Sequence, residues 1–331
     1  MADESKDPVN VSLSDWQARV RASLKRWEGA FGLDPDSFFF EGVDGMPDFR
    51  FEGAEEFSAS DAWWLGELCR LAYTPDDRER SRKKYDGFPR RDVILEARTP
   101  FKELVSIHKT GNHASIYRRR DETGPTIVCF RGTNRTRQWV MNAVVRPHRW
   151  KRYLLDGDPE EAYVHSGFYV FLKRVWPLIE RELVQLPRPW IVTGHSLGGA
   201  LAMLAGPIVH PELICTFGAP KVGNETFYQL RTGNVLWRLV NHTDLVPHLP
   251  LRDRSVGARN FSHGHPASIL GSDSGISPGV ETEQGGVLPV LAANSKTGLK
   301  NPPQWLIEHR IGEYCRKLRR LHHDGCRIDS L

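Results

Sequence analysis

The sequence predicts an α/β protein with a mostly parallel central sheet and helices on both faces. Two observations predict it. Beyond residue 160, short β-rich runs alternate with helix-like stretches, the pattern of strands joined by crossovers that cover a sheet. Within that alternation, Ile191-Val192-Thr193 passes through Gly194-His195-Ser196-Leu197-Gly198 into Gly199-Ala200-Leu201-Ala202. That reads as a strand, a sharp turn and a helix whose small residues permit close packing on the sheet. The 331 residues, 40% hydrophobic and 26% charged, suit one folding unit, so a single domain is expected over 1–331 with 1–57 as an N-terminal helical extension.

Taken in order, residues 13–27 read as a helix: Trp16, Val20, Leu24 and Trp27 share a face, and Ser14 with Gln17 forms a capping box. Leu65, Leu68, Cys69 and Ala72 have helical spacing, and the charge-crowded stretch 76–91 reads as an exposed connection. Val93–Leu95, Leu104–Ile107, Ser115–Tyr117 and Thr126–Phe130 are β-rich runs between Asn, Gly and Asp turns. The alternation then gives a helix over Phe168–Leu186, which Pro177 should kink or split, a strand Trp190–Thr193 and a helix Leu197–Ala205. Strands Ile214–Phe217 and Val235–Val240 follow, then a Gly-, Ser- and Pro-rich stretch, 271–302, read as a long loop, and a last helix over Gln304–Leu321.

Composition narrows the function. No run approaches the roughly 18–20 apolar residues that span a bilayer, so no transmembrane segment is expected. The start, Met1 to Pro8, lacks the basic and apolar stretches of a secretory signal, which makes the cytoplasm the default compartment. Five cysteines without CxxC spacing argue against a disulfide framework or a zinc cage. A net charge of +4 from 45 basic and 41 acidic residues creates no field that compels a nucleic-acid partner. One basic, aromatic stretch, Arg146 to Tyr153, reads as a solvated loop or as a surface for anionic lipid headgroups.

Gly194-His195-Ser196-Leu197-Gly198 matches G-x-S-x-G, the bend that lifts a serine hydroxyl out of a sheet. Chance gives about 0.15 such matches in a chain like this, so context decides. A second match, Gly275-Ile276-Ser277-Pro278-Gly279, has no apolar strand before it. The residue after a nucleophile must also offer a backbone N–H to the oxyanion, and Pro278 has none. Ser277 is therefore a decoy. Ser196 follows a β-branched run and opens a helix, whose N-terminus favours developing negative charge.

With these residues in view, the chain resembles the class 3 lipase family, the fungal-type triacylglycerol lipases, over roughly residues 58–318. The likeness rests on Ile127 to Thr133, Val164 to Phe168, Thr193 to Ala200, Thr216 to Asn224 and Asp244 to Pro250, in that order. The resemblance implies an α/β-hydrolase fold with a short lid and a serine esterase activity on acylglycerols. It implies Thr133 and the backbone N–H of Leu197 as oxyanion donors. Asp244, just after the strand ending at Val240, fits the Ser, Asp, His order of this fold. His309, in Glu308-His309-Arg310-Ile311-Gly312-Glu313-Tyr314, resembles the block with the catalytic histidine. His263 is the alternative base, although its segment resembles one where the histidine is structural. His263 and His265 alternate as a metal pair would, but no carboxylate or cysteine cluster accompanies them. His195 is expected to face away from the hydroxyl, either packing or supporting the groups that touch it.

A lid is implied at Trp139, Val140 and Met141, and Asn142 stands where fungal members usually carry aspartate. The expected cycle is acyl transfer through Ser196 with no metal or organic cofactor. The expected partner is an ester or lipid substrate, with peripheral contact to lipid surfaces left open. Within hydrolases, a phospholipase A1 or a short-chain carboxylesterase competes with a lipase. A catalytically silent lipase-like binding scaffold is the rival from another class.

Overall fold

The computed structural model describes residues 39–74, 90–109, 112–132, 146–151, 161–230, 234–250, 259–271, 276–279 and 307–324. The predicted helix over 13–27 and nearly all of the 76–91 connection lie outside them. The sheet runs in the order β1 (Phe101–Lys109), β2 (Asn112–Arg119), β3 (Thr126–Phe130), β6 (Trp190–His195), β7 (Leu213–Phe217), β8 (Val235–Asn241), β9 (Ala267–Leu270), β10 (Ile276–Gly279). Pairing is parallel from β3 through β9 and antiparallel at both margins. Strands β4 (Pro147–Arg149) and β5 (Tyr163–His165) form a separate ribbon.

Successive side chains of a strand point to opposite faces, and the two hydrophobic clusters sort by that period. Ile127, Cys129, Ile191, Leu213, Cys215 and Phe217 join one cluster. Val128, Phe130, Val192 and Ile214 join the other. The first face is covered by α1 (Ala59–Leu71) and α6 (Ile311–His323), the second by α3 (Ser166–Leu183) and α4 (Leu197–Val209). Helix α4 is buried along nearly its whole length, as expected of a helix that is apolar all round. The short α2 (Arg91–Arg98) adds Ile94 and Leu95 to the first cluster, and the short α5 (Glu225–Gln229) adds Phe227 and Tyr228 to the second.

Four expectations are corrected. Val93–Leu95 is part of α2, not a strand: buried Arg91, Ile94 and Leu95 fall on one helical stripe. Pro177 does not split α3, which runs unbroken from Ser166 to Leu183 with Pro177 on its exposed side. The stretch 271–302 is not a loop throughout, since Ile276–Gly279 pairs with β9 and so places Ser277 opposite Ile269. The last helix starts at Ile311, and His309 precedes it in a turn. In the basic stretch, Arg146, His148, Arg149 and Lys151 are exposed while Trp150 is buried.

Helix α1 begins with Ser58, whose hydroxyl accepts from the Asp61 N–H at 3.1 Å, an N-cap that satisfies one orphan donor. Burial of Asp61 raises its pKa from 3.8 to about 6, against the lowering effect of Ser58. A carboxyl that binds its proton more tightly when folded loses stability as pH rises from its unfolded to its folded pKa. Asp61→Asn should therefore stabilise the protein by about 2–3 kcal/mol at pH 8 and by nothing below pH 3.8. Thermal melts at both pH values check this.

Candidate active site

The strand-to-helix bend at Ser196 is a strained one. Ser196 has φ 57° and ψ −124°, a region that costs a side-chain-bearing residue about 1–3 kcal/mol. The adjacent strand and the helix it opens hold it there: its N–H donates to Phe217 O of β7 at 2.9 Å, and its carbonyl accepts from the Ala200 N–H of α4 at 3.1 Å. The glycines of the motif follow from contact. A Cβ on Gly194 would strike the Gly198 carbonyl, and one on Gly198 would strike the Phe130 carbonyl. A Cβ on Gly199 would come within 2.7 Å of the Ala219 methyl. Leu197 is the first residue of α4, so its N–H is among those a helix cannot use internally.

The structure brings Ser196, His309 and Asp244 together. His309 Nε2 lies 2.9 Å from Ser196 Oγ, and His309 Nδ1 lies 2.8 Å from Asp244 Oδ2. All three residues are 0% exposed. Asp244 follows β8 in a turn closed by its N–H on the Asn241 carbonyl at 3.0 Å, and its Oδ1 accepts the Val246 N–H at 2.9 Å. Asn241 also donates from Nδ2 to Glu308 O at 2.7 Å. Lys317, from α6, pairs with the Glu308 carboxylate at 2.7 Å. The end of β8 thus fixes both the acid and the segment that carries the imidazole.

Two contacts at this site involve residues to which the sequence assigns no role. Tyr314, one turn into α6, donates its hydroxyl to Asp244 Oδ2 at 2.6 Å and accepts the Asn241 N–H at 3.1 Å. Burial first, and the Asp244 charge second, push the phenol pKa well up, so Tyr314 stays a neutral donor. Gly218 has φ +57°, and a Cβ there would approach Asp244 Oδ2 to 2.7 Å, Tyr314 Oη to 2.8 Å and His309 Nδ1 to 3.1 Å. Gly218→Ala should therefore lower kcat by about 100-fold, the cost of displacing a catalytic group by an ångström. Steady-state kinetics on a soluble ester checks it.

The other candidates fall elsewhere. His263 is buried, and its Nε2–H donates to Pro247 O at 2.6 Å. Burial, with Arg238 next in effect, holds it neutral. The His195 ring lies beside the triad, 4.7 Å from that of His309 between ring centres. Thr133 and the lid candidates Trp139, Val140 and Met141, with Asn142, lie outside the described residues. Among the described residues, no group of His, Cys, Asp and Glu is arranged to hold a metal ion, and no helix is long and apolar enough to cross a membrane.

Comparison with known proteins bears on the same residues. The family model described as lipase (class 3) matches residues 127–254. A lipase from Rhizopus niveus is 34% identical over 182 residues, 50% of this chain and 42% of that protein. Phospholipase A1-II 1 from Oryza sativa subsp. indica is 27% identical over 258 residues, 56% of this chain and 63% of that protein. The chain thus spans less than half the length of the Rhizopus niveus lipase. In fold it is similar to a lipase from Rhizopus microsporus var. chinensis, with a TM-score of 0.52 and 23% identity over 81% of this chain and 96% of that one.

Proposed function

We propose that this chain, a member of the class 3 lipase family, cleaves carboxylic esters of acylglycerols with Ser196 as nucleophile. The observation that carries the reading is the hydrogen-bonded line from Ser196 Oγ through the His309 ring to Asp244. His309 Nε2 takes the hydroxyl proton as Ser196 Oγ attacks the ester carbonyl carbon. The oxyanion that forms is held by the N–H of Leu197 and by Thr133. Asp244 keeps the proton of His309 on Nδ1 and stabilises the imidazolium. Collapse expels the alcohol with the proton from Nε2, and water activated by the same nitrogen then releases the acid. No step needs a metal or an organic cofactor.

The burial of Ser196 suits a site that a lid uncovers for the ester. Trp139, Val140 and Met141 are the residues we assign to that lid. The phospholipase A1 relative favours a second reading, in which the substrate is a phospholipid. Turnover of a p-nitrophenyl ester by wild type but not by Ser196→Ala supports the enzyme; equal rates in the two overturn it in favour of a binding scaffold. Emulsified triacylglycerol against phosphatidylcholine vesicles then separates the lipase from the phospholipase, and activity confined to soluble short-chain esters defeats both.

A further inference from the structure

We propose that Tyr73 and His195 form a positioning strut that holds the His309 main chain, and with it the imidazole, at the Ser196 hydroxyl. The proposal rests on the esterase reading of the site. His309 occupies a turn ahead of α6, so no helix ladder fixes its carbonyl. That carbonyl is instead 2.6 Å from His195 Nε2, and His195 Nδ1 is 2.8 Å from the Tyr73 hydroxyl.

The chemistry of the partners sets the proton positions. A carbonyl only accepts, so His195 Nε2 carries the hydrogen. Burial holds the His195 imidazole neutral, which leaves Nδ1 as an acceptor and makes Tyr73 the donor to it. Each side chain in the line therefore has one arrangement, and a ring with one arrangement transmits position.

The far end of the strut is anchored. Tyr73 follows α1, and its N–H donates to Arg70 O at 3.1 Å. On one side of it, Ala72 O lies 3.3 Å from His113 Nδ1. On the other, Arg91 donates to Thr74 O at 2.9 Å and to Thr74 Oγ1 at 3.0 Å, while pairing with Glu103 at 2.8 Å. The hydroxyl also seats against the strand end that leads to Thr133: a Cβ on Gly132 would fall on it. One side chain thus touches both the approach to the assigned oxyanion residue and, through His195, the base.

The test uses the full chain with Tyr73→Phe, His195→Leu and His195→Gln. Glutamine keeps one acceptor and one donor at the spacing of the imidazole nitrogens; leucine keeps neither. With p-nitrophenyl butyrate, Tyr73→Phe and His195→Leu should lower kcat by about 10–100-fold with KM within about twofold. His195→Gln should recover to within about threefold of wild type. A second readout needs no substrate: in 15N-histidine NMR, the far-downfield Nδ1–H signal of His309 should broaden in the Phe and Leu variants and persist in the Gln variant. Wild-type kcat with an unchanged signal in Tyr73→Phe, or equal behaviour of the Leu and Gln variants, would overturn the strut. If Tyr73→Phe does not fold, the His195 pair makes the same decision. A wild-type chain that turns over no ester sinks the esterase reading alone, because the NMR comparison still decides the strut.

Discussion

Replacing His309 by alanine should lower kcat by about six orders of magnitude, the loss seen when the base of a hydrogen-bonded triad is removed, whereas His263→Ala should leave turnover in place. The two histidines are equally buried in character but differ in what they touch. His309 Nε2 faces the Ser196 hydroxyl at 2.9 Å, so it alone is placed to take the proton as Oγ attacks. His263 spends its Nε2–H on the Pro247 carbonyl, and its loss leaves a buried acceptor unsatisfied. His263→Ala should therefore cost about 1–3 kcal/mol of stability, read as a lower melting temperature, with kcat within a few-fold of wild type. The reverse pattern would move the base to His263.

Asp244→Asn should lower kcat by about 10⁴-fold, the effect of forcing a catalytic imidazole into the wrong tautomer. The hydrogen bonds explain why asparagine has no good orientation here. Asp244 Oδ2 accepts from both His309 Nδ1–H and the Tyr314 hydroxyl, and Oδ1 accepts from the Val246 N–H. With the amide nitrogen in the Oδ2 position, it faces two donors, and relief requires His309 to surrender its Nδ1 proton and carry one on Nε2. That nitrogen is then no longer a base. With the amide turned over, NH₂ meets the Val246 N–H and the turn that presents the side chain is strained. Stability should fall in either case, so a melt accompanies the kinetics. Tyr314→Phe removes one donor and leaves the tautomer intact, and its kcat should fall far less than that of Asp244→Asn.

Much of this architecture is legible in the residues. The parallel strands β3, β6, β7 and β8 are apolar on both faces because helices cover both, and such runs stand out without structural knowledge. The bend at Ser196 is legible because the contacts that demand glycine at 194 and 198 are local to the motif and to the adjacent strand end. Asp244 and His309 are readable only through the resemblance, since their partnership spans 65 positions of sequence.

What escaped the sequence depends on distant contacts. Ile94 and Leu95 suit a strand by composition, and only their burial beside Arg91 makes them one stripe of α2. The break that sets His309 in a turn leaves no proline or glycine at residue 309 or 310, because hydrogen bonds from Asn241 and His195 hold the segment instead. Gly218 and Tyr314 lie inside blocks that carry the family resemblance and Tyr73 outside them, but nothing local says what any of the three touches. Their roles come from the side of the molecule they face, and a single chain does not reveal it.

The claim on which the rest depends is that the Ser196 hydroxyl is the reacting group. Exposure of the folded protein to a fluorophosphonate probe, followed by peptide mass spectrometry, tests it directly. One phosphonylated serine, Ser196, is expected, with no adduct on folded Ser196→Ala. A folded wild-type chain that stays unmodified at Ser196, or that carries the adduct on Ser277, would contradict it.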